Sequence, residues 1–203
     1  MYREMKKLLI TGSIGSGKSE VCRYLRSKAF PVYDCDSRAK ALYDENPGLL
    51  AAIESLFGEE VLGKDGRLDK AELAMRIFAD KGAREAVEAI VHPAVNADLK
   101  HWLSIQEDSG AEIAVIESAI ALRVPALLAL ADAVVFVDAP LERRVERAME
   151  RSGITEEEVL ARMQSQSLSS VDTDYYILND NTLDMLHRKA DEVVELFRKT
   201  KKQ

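Results

Sequence analysis

Lys7-Leu8-Leu9-Ile10-Thr11-Gly12-Ser13-Ile14-Gly15-Ser16-Gly17-Lys18-Ser19 opens on a short apolar run and closes on a glycine-rich turn. Residues 12–19 fit G-x-x-x-x-G-K-[ST] in full. The motif stands between a strand-like run and a segment with Val21, Tyr24 and Leu25 at helical spacing. Gly12, Gly15 and Gly17 let the backbone wrap closely around phosphate. The N–H groups of Ser13, Ile14 and Ser16 turn inward with theirs. The helix N-terminus adds partial positive charge. Lys18 is placed to reach the β- and γ-phosphates, and the Ser19 hydroxyl to ligate Mg²⁺. These residues imply an ATP-binding phosphotransfer site.

Outward from this loop, strand and helix patterns alternate, which implies an α/β fold with a parallel sheet between helical layers. Residues 7–11 supply the first strand and 30–33 a second, ending in Asp34-Cys35-Asp36. The apolar runs 113–116 and 133–137 are central-strand candidates, and 175–178 is a fifth strand. Between the second and third strands the chain reads as nearly all helix, more than a simple crossover needs. The expectation is a core over 7–36 and 110–203 with an inserted helical module over 37–109. Within the module, Leu49, Leu50, Ile53, Leu56 and Phe57 form an apolar helix face closed by Gly58. Asp69 caps a helix, with Glu72 placed to return the bond. His92-Pro93 reads as a helix junction. Thr182 caps the closing helix, whose Leu183, Leu186, Val193, Val194 and Phe197 face the core.

Composition narrows the class. In 203 residues, 47% are hydrophobic and 31% charged, which is ordinary for a globular chain. A net charge of −7 argues against a general nucleic-acid partner, since such affinity rests on neutralising phosphates. The most apolar stretch, 114–137, is broken by Glu117, Arg123, Pro125 and Asp132, so no membrane span is expected. Two cysteines, Cys22 and Cys35, make no disulfide framework, and the charged N-terminus lacks a secretory pattern. A reducing cytoplasm is the expected location. Oligomeric state is not legible.

Phosphoryl transfer to a hydroxyl needs a group that orients it and accepts its proton. Asp34 and Asp36 sit past the carboxyl end of the second strand, where open α/β sheets bind ligands. On extended backbone, a spacing of two points both carboxylates the same way. Asp36 then serves as base while Asp34 directs the metal; alternatively Asp36 caps the next helix. Glu117, ending the third strand, is a rival metal-directed carboxylate. Residues 141–168 carry Arg143, Arg144, Arg147, Arg151 and Arg162 on helix, break at Ser152-Gly153, and helix, with Thr155 and Glu158 as a capping box. Arg147 and Arg151, four apart, can clamp phosphate from a lid. The alternative is a solvated face paired to Glu142, Glu146 and Glu150.

With these residues quoted, the chain resembles the dephospho-coenzyme A kinase family from Leu9 to about Leu196. The ordered match runs through the loop, Pro31-Val32-Tyr33-Asp34-Cys35-Asp36, Phe57-Gly58, Asp65-Gly66-Arg67-Leu68-Asp69, Phe78, His92-Pro93, Arg147, Arg151, Arg162, Gln166, Asp174 and Asn179. The resemblance implies a five-stranded P-loop kinase core, a helical CoA-binding domain and a lid. It implies transfer of the ATP γ-phosphoryl group to the 3′-hydroxyl of dephospho-CoA with Mg²⁺. By position, Asp36 is then the base, Lys18 and Ser19 the phosphate and metal contacts, and Arg147 a transition-state or lid arginine. His92 belongs to the substrate module and Asn179 lies beside the adenine. Glu20 departs from the usual Thr, which leaves a backbone N–H contact intact. Lys70, Arg123 and Arg144 replace a usual Arg, Glu and Gln. Another small acceptor, such as a nucleoside monophosphate, is the alternative. A nucleotide switch would carry Asn-Lys-x-Asp, which is absent.

Overall fold

The protein is described here by a computed structural model, which covers residues 4–165 and 173–200. Strands β1 (Lys6–Gly12), β2 (Val32–Asp34), β3 (Ile113–Glu117), β4 (Ala133–Asp138) and β5 (Tyr175–Leu178) form one sheet. Its order is β2-β3-β1-β4-β5 and all of its pairings are parallel. Every residue of β3 is buried, as is all of β1 except half-buried Lys7. That is why these strands read as unbroken apolar runs: a parallel sheet is covered on both faces. The edge strand β5 instead exposes Tyr176.

Two helices close one face. Helix α1 (Lys18–Ser27) brings Val21, Cys22 and Leu25, which pack with Leu8, Ile10, Val115, Val135 and Val137. The last helix joins the same core through Leu186, Ala190, Val193, Val194 and Phe197. Its Leu183 is exposed, in contrast to expectation, because it starts the first turn beyond the sheet-facing stripe.

The chain divides into two compact units, Met1–Asp34 with Ser104–Gln203, and Cys35–Leu103. The second unit thus begins and ends earlier than the expected 37–109, and Asp36 belongs to it. There, α2 (Cys35–Glu45) is followed by α3 (Pro47–Phe57), α4 (Lys70–Ala79) and α5 (Lys81–Asp108), whose last residues lie in the first unit; the short α6 (Pro125–Leu128) follows β3.

Four local expectations change. Helix α2 starts at Cys35, directly after β2, so the extended backbone ends at Asp34 and the alternation rule does not reach Asp36. His92-Pro93 is no junction: it lies inside α5. Proline there lacks a donor, yet Val87, Val91, Val95, Leu99 and Leu103 recur every fourth residue through it, and that buried stripe overrides the local penalty. The face of α3 buries Leu49 and Ile53 but leaves Leu56 exposed. Asp69 caps α4 through Ala71 N and Glu72 N, whereas the Glu72 carboxylate accepts from Arg76 at 2.7 Å instead of returning the bond. Among the described residues no helix is long and apolar enough to cross a membrane.

Candidate active site at the phosphate loop

β1 delivers residues 12–17 to the carboxyl edge of the sheet, and α1 begins at Lys18 with Gly17 as its N-cap. No side chain caps that end, so the orphan N–H groups of the first turn remain available to a ligand. Gly15 and Gly17 have φ of +76° and +96°, and neither has room for a Cβ. At Gly15 it would sit 2.2 Å from Arg144 O, and at Gly17 2.3 Å from Asn179 Nδ2. The hydroxyls of Thr11 and Ser16 are buried without a partner among the described residues.

Two loop side chains converge on one carboxylate. Lys18 Nζ and Ser19 Oγ each donate to Glu117 Oε1 at 2.7 Å. Lys18 and Glu117 are both buried, so the ion pair is little screened. Glu117 ends β3, in register with Ile10 of β1 and Asp34 of β2. Asp34 therefore stands beside Glu117 at the carboxyl ends of the strands, and Glu117 touches the loop. Below them, burial first and the Glu117 charge second push the Cys22 thiol well above its usual range.

Asn179, just past β5, is buried; its carboxamide donates to Ser16 O at 2.9 Å while its own N–H donates to Asp138 O at 2.7 Å. It thereby ties the loop to the ends of β4 and β5. Glu20 lies in the first turn of α1 and pairs with Arg23 and with His187 Nε2, the latter at 2.8 Å. His187 stacks on Tyr24 at 4.0 Å. Sequence carries no sign of this pair, whose members are 167 positions apart.

Helices α7 (Leu141–Ser152) and α8 (Glu156–Ser165) occupy the arginine segment. Gly153 turns the chain at φ +63°, and Thr155 and Glu158 exchange capping bonds of 2.8 and 3.3 Å. Arg147 Nη1 donates to Gly15 O at 3.4 Å. Arg144 pairs with Asp138 at 3.7 Å, so these two arginines meet the loop and the β4 end instead of the interleaved glutamates. Ile14 of the loop packs against the Val145, Ala148 and Val159 cluster of α7 and α8. Gln166 and positions 167 and 168 of the expected lid segment lie outside the described residues. In the second unit, Asp36 is exposed in the first turn of α2, and His92 is half-buried within α5.

Glycines at positive φ, a buried ammonium and an uncapped helix N-terminus suit a polyphosphate. On a parallel five-stranded sheet, that defines the class as a P-loop kinase. Comparison with known proteins refines it. The dephospho-CoA kinase (CoaE) family profile matches residues 8–184. A dephospho-CoA kinase of Porphyromonas gingivalis is 42% identical over 174 residues, 84% of each chain. A crystal structure from Thermus thermophilus superposes with TM-score 0.80 at 35% identity, covering 95% of this chain and 98% of that one. The dephospho-CoA kinase from Campylobacter jejuni gives TM-score 0.67 at 25% identity, covering 95% and 97%. The chain belongs to the dephospho-CoA kinase family. It is an enzyme of the last step of coenzyme A biosynthesis, the ATP-dependent phosphorylation of dephospho-CoA.

Proposed function

We propose that this chain carries out the transfer with Lys18, Ser19, Arg147 and Asp36 as its working groups. The observation that carries the reading is the convergence of Lys18 and Ser19 on Glu117 at the mouth of the loop. Bound ATP phosphates would compete with Glu117 for both donors. Lys18 then neutralises β/γ charge, and backbone N–H groups of residues 12–20 hold the remaining oxygens, those of Ser16 and Glu20 by sharing bonds they now make to Ser13 O and Gly17 O. Ser19 with Glu117, or with Asp34 beside it, offers hard oxygen ligands that fit Mg²⁺, which takes few protein carboxylates and completes its shell with phosphate and water. Mg²⁺, when bound, supplies neutralisation of phosphate charge. Arg147, against the Gly15 carbonyl, is placed to stabilise charge that spreads over the transferring group.

The 3′-oxygen of dephospho-CoA attacks the γ-phosphorus, its proton passes to the Asp36 carboxylate, and the bond to the β–γ bridging oxygen breaks to give CoA and ADP. His92 and the second unit belong to acceptor binding, Asn179 to the adenine side of the loop, and the reaction to the cytoplasm. Support for Asp36 is its position two residues beyond the end of β2. Since α2 starts at Cys35, Asp36 lies inside the first turn and is not the residue before the helix. Asp36→Asn keeps size and removes the proton acceptor. Turnover should fall about 10²–10⁴-fold with ATP affinity unchanged. Wild-type turnover in Asp36→Asn would remove the base role.

A further inference from the structure

Helix α2 buries little apolar surface. Its eleven residues bury only Cys35 and Leu42. A helix held by so little apolar surface is poorly oriented about its axis unless something polar pins it. Lys70 Nζ of α4 donates to Asp44 at 2.7 Å, but both side chains are exposed, and the firmer pin is the half-buried Arg38. Its Nε and Nη2 donate to Asp98 Oδ2 and Oδ1 of α5, both at 3.0 Å, a two-pronged fork on one carboxylate. Its Nη2 and Nη1 also donate to Glu45 at the end of α2, at 2.9 and 3.4 Å. These hydrogen bonds, to Asp98 above all, hold the guanidinium firmly in its charged form.

Helical geometry connects this to the proposed base. At about 100° per residue, Arg38, Leu42 and Glu45 share one face, while Asp36 lies about 200° from Arg38 on the other. Asp36 is indeed exposed. Two carboxylates occupy most of the Arg38 donors, so it is poorly suited to bind the anionic acceptor directly.

We propose that Arg38 is a positioning residue for the transfer, its fork to Asp98 fixing the roll of α2 and so the direction of Asp36. The inference rests on Asp36 being the base. Misaiming a reacting group by about 1 Å costs up to about 100-fold in rate, so Arg38→Met should lower kcat at least several-fold and leave the KM for ATP unchanged. Asp98→Asn, which keeps the shape of the site, should do the same, and Arg38→Lys, keeping charge without the fork, should recover only part.

The deciding measurement repeats Arg38→Met in the Asp36→Asn background, with folding checked by circular dichroism. The expected result is no further loss of kcat, because nothing remains to be aimed. An equal loss in both backgrounds overturns the inference, as does wild-type kcat in Arg38→Met and Asp98→Asn when Asp36→Asn alone is crippled. Full turnover in Asp36→Asn overturns the base reading itself, and the inference with it. If Arg38→Met does not fold, the Asp98→Asn pair of backgrounds decides by the same outcomes.

Discussion

Gly17 shows how one residue couples the loop to the sheet. It caps α1 in the left-handed region and lies against Asn179, whose carboxamide holds the Ser16 carbonyl. An alanine here would hold a strained φ, about 1–2 kcal/mol on its own. It would also push Nδ2 of Asn179 away from a contact of 2.3 Å, breaking the bond to Ser16. Gly17→Ala should therefore weaken ATP binding at least about tenfold, an energy of about 1.4 kcal/mol. Calorimetric titration of ATP tests it. Wild-type affinity in this variant would mean that the loop tolerates a rearranged backbone and that the tie to Asn179 is dispensable. The glycine requirement was legible from the motif, but the identity of its neighbour was not, since Asn179 is 163 positions from Ser16.

Helix termini are where element-scale reading succeeded and failed most clearly. Thr182 caps α9 (Leu183–Lys199) by accepting from Met185 N, and Thr155 caps α8, both legible because the groups involved lie within a few residues. The other end of α9 is closed by something no local rule finds. Lys6, buried at the start of β1, donates to the carbonyls of Phe197, Arg198 and Thr200 and lies 5.1 Å from the Phe197 ring centroid. A cation at a helix C-terminus satisfies carbonyls that would otherwise lack partners and opposes the helix dipole. Lys6→Met retains the stem and removes these bonds, which should lower stability by about 1.5–3 kcal/mol. For a chain of this size, that is a fall in Tm of roughly 3–12 °C. Because the phosphate loop is at the opposite end of β1, kcat should be unaffected. A melting curve and a turnover assay on the same preparation check both halves, and an unchanged Tm would show that α9 ends without help from Lys6.

At the scale of the whole chain, the sheet was legible because each central strand is buried on two faces and so forms an uninterrupted apolar run. What sequence could not supply were contacts set by the crossovers: Glu117 meeting Lys18 across 99 positions, and Arg38 meeting Asp98 across 60. Nor could it supply a helix beginning at Cys35 or one running through Pro93, where tertiary packing overrides the local signal. Packing has a measurable consequence at Cys22, which is fully buried between α1 and the sheet. Burial and the nearby Glu117 raise its native pKa above the ordinary thiol value of 9.0. Well below pH 9 the thiol is protonated in both native and unfolded chains, and its contribution is fully present. Above pH 9 the unfolded chain releases a proton that the native one keeps, so stability falls with rising pH until the native thiol itself ionises. The slope due to this group approaches about 1.4 kcal/mol per pH unit. Lysines and tyrosines titrate in the same range, so the quantity to measure is the difference between wild type and Cys22→Ala by urea unfolding at pH 8, 9 and 10. The cavity term in that difference is independent of pH, and the wild-type advantage should shrink between pH 9 and 10. A constant difference across the series would show that Cys22 ionises as easily in the folded chain as in the unfolded one, and that the core beneath the loop is not closed to charge.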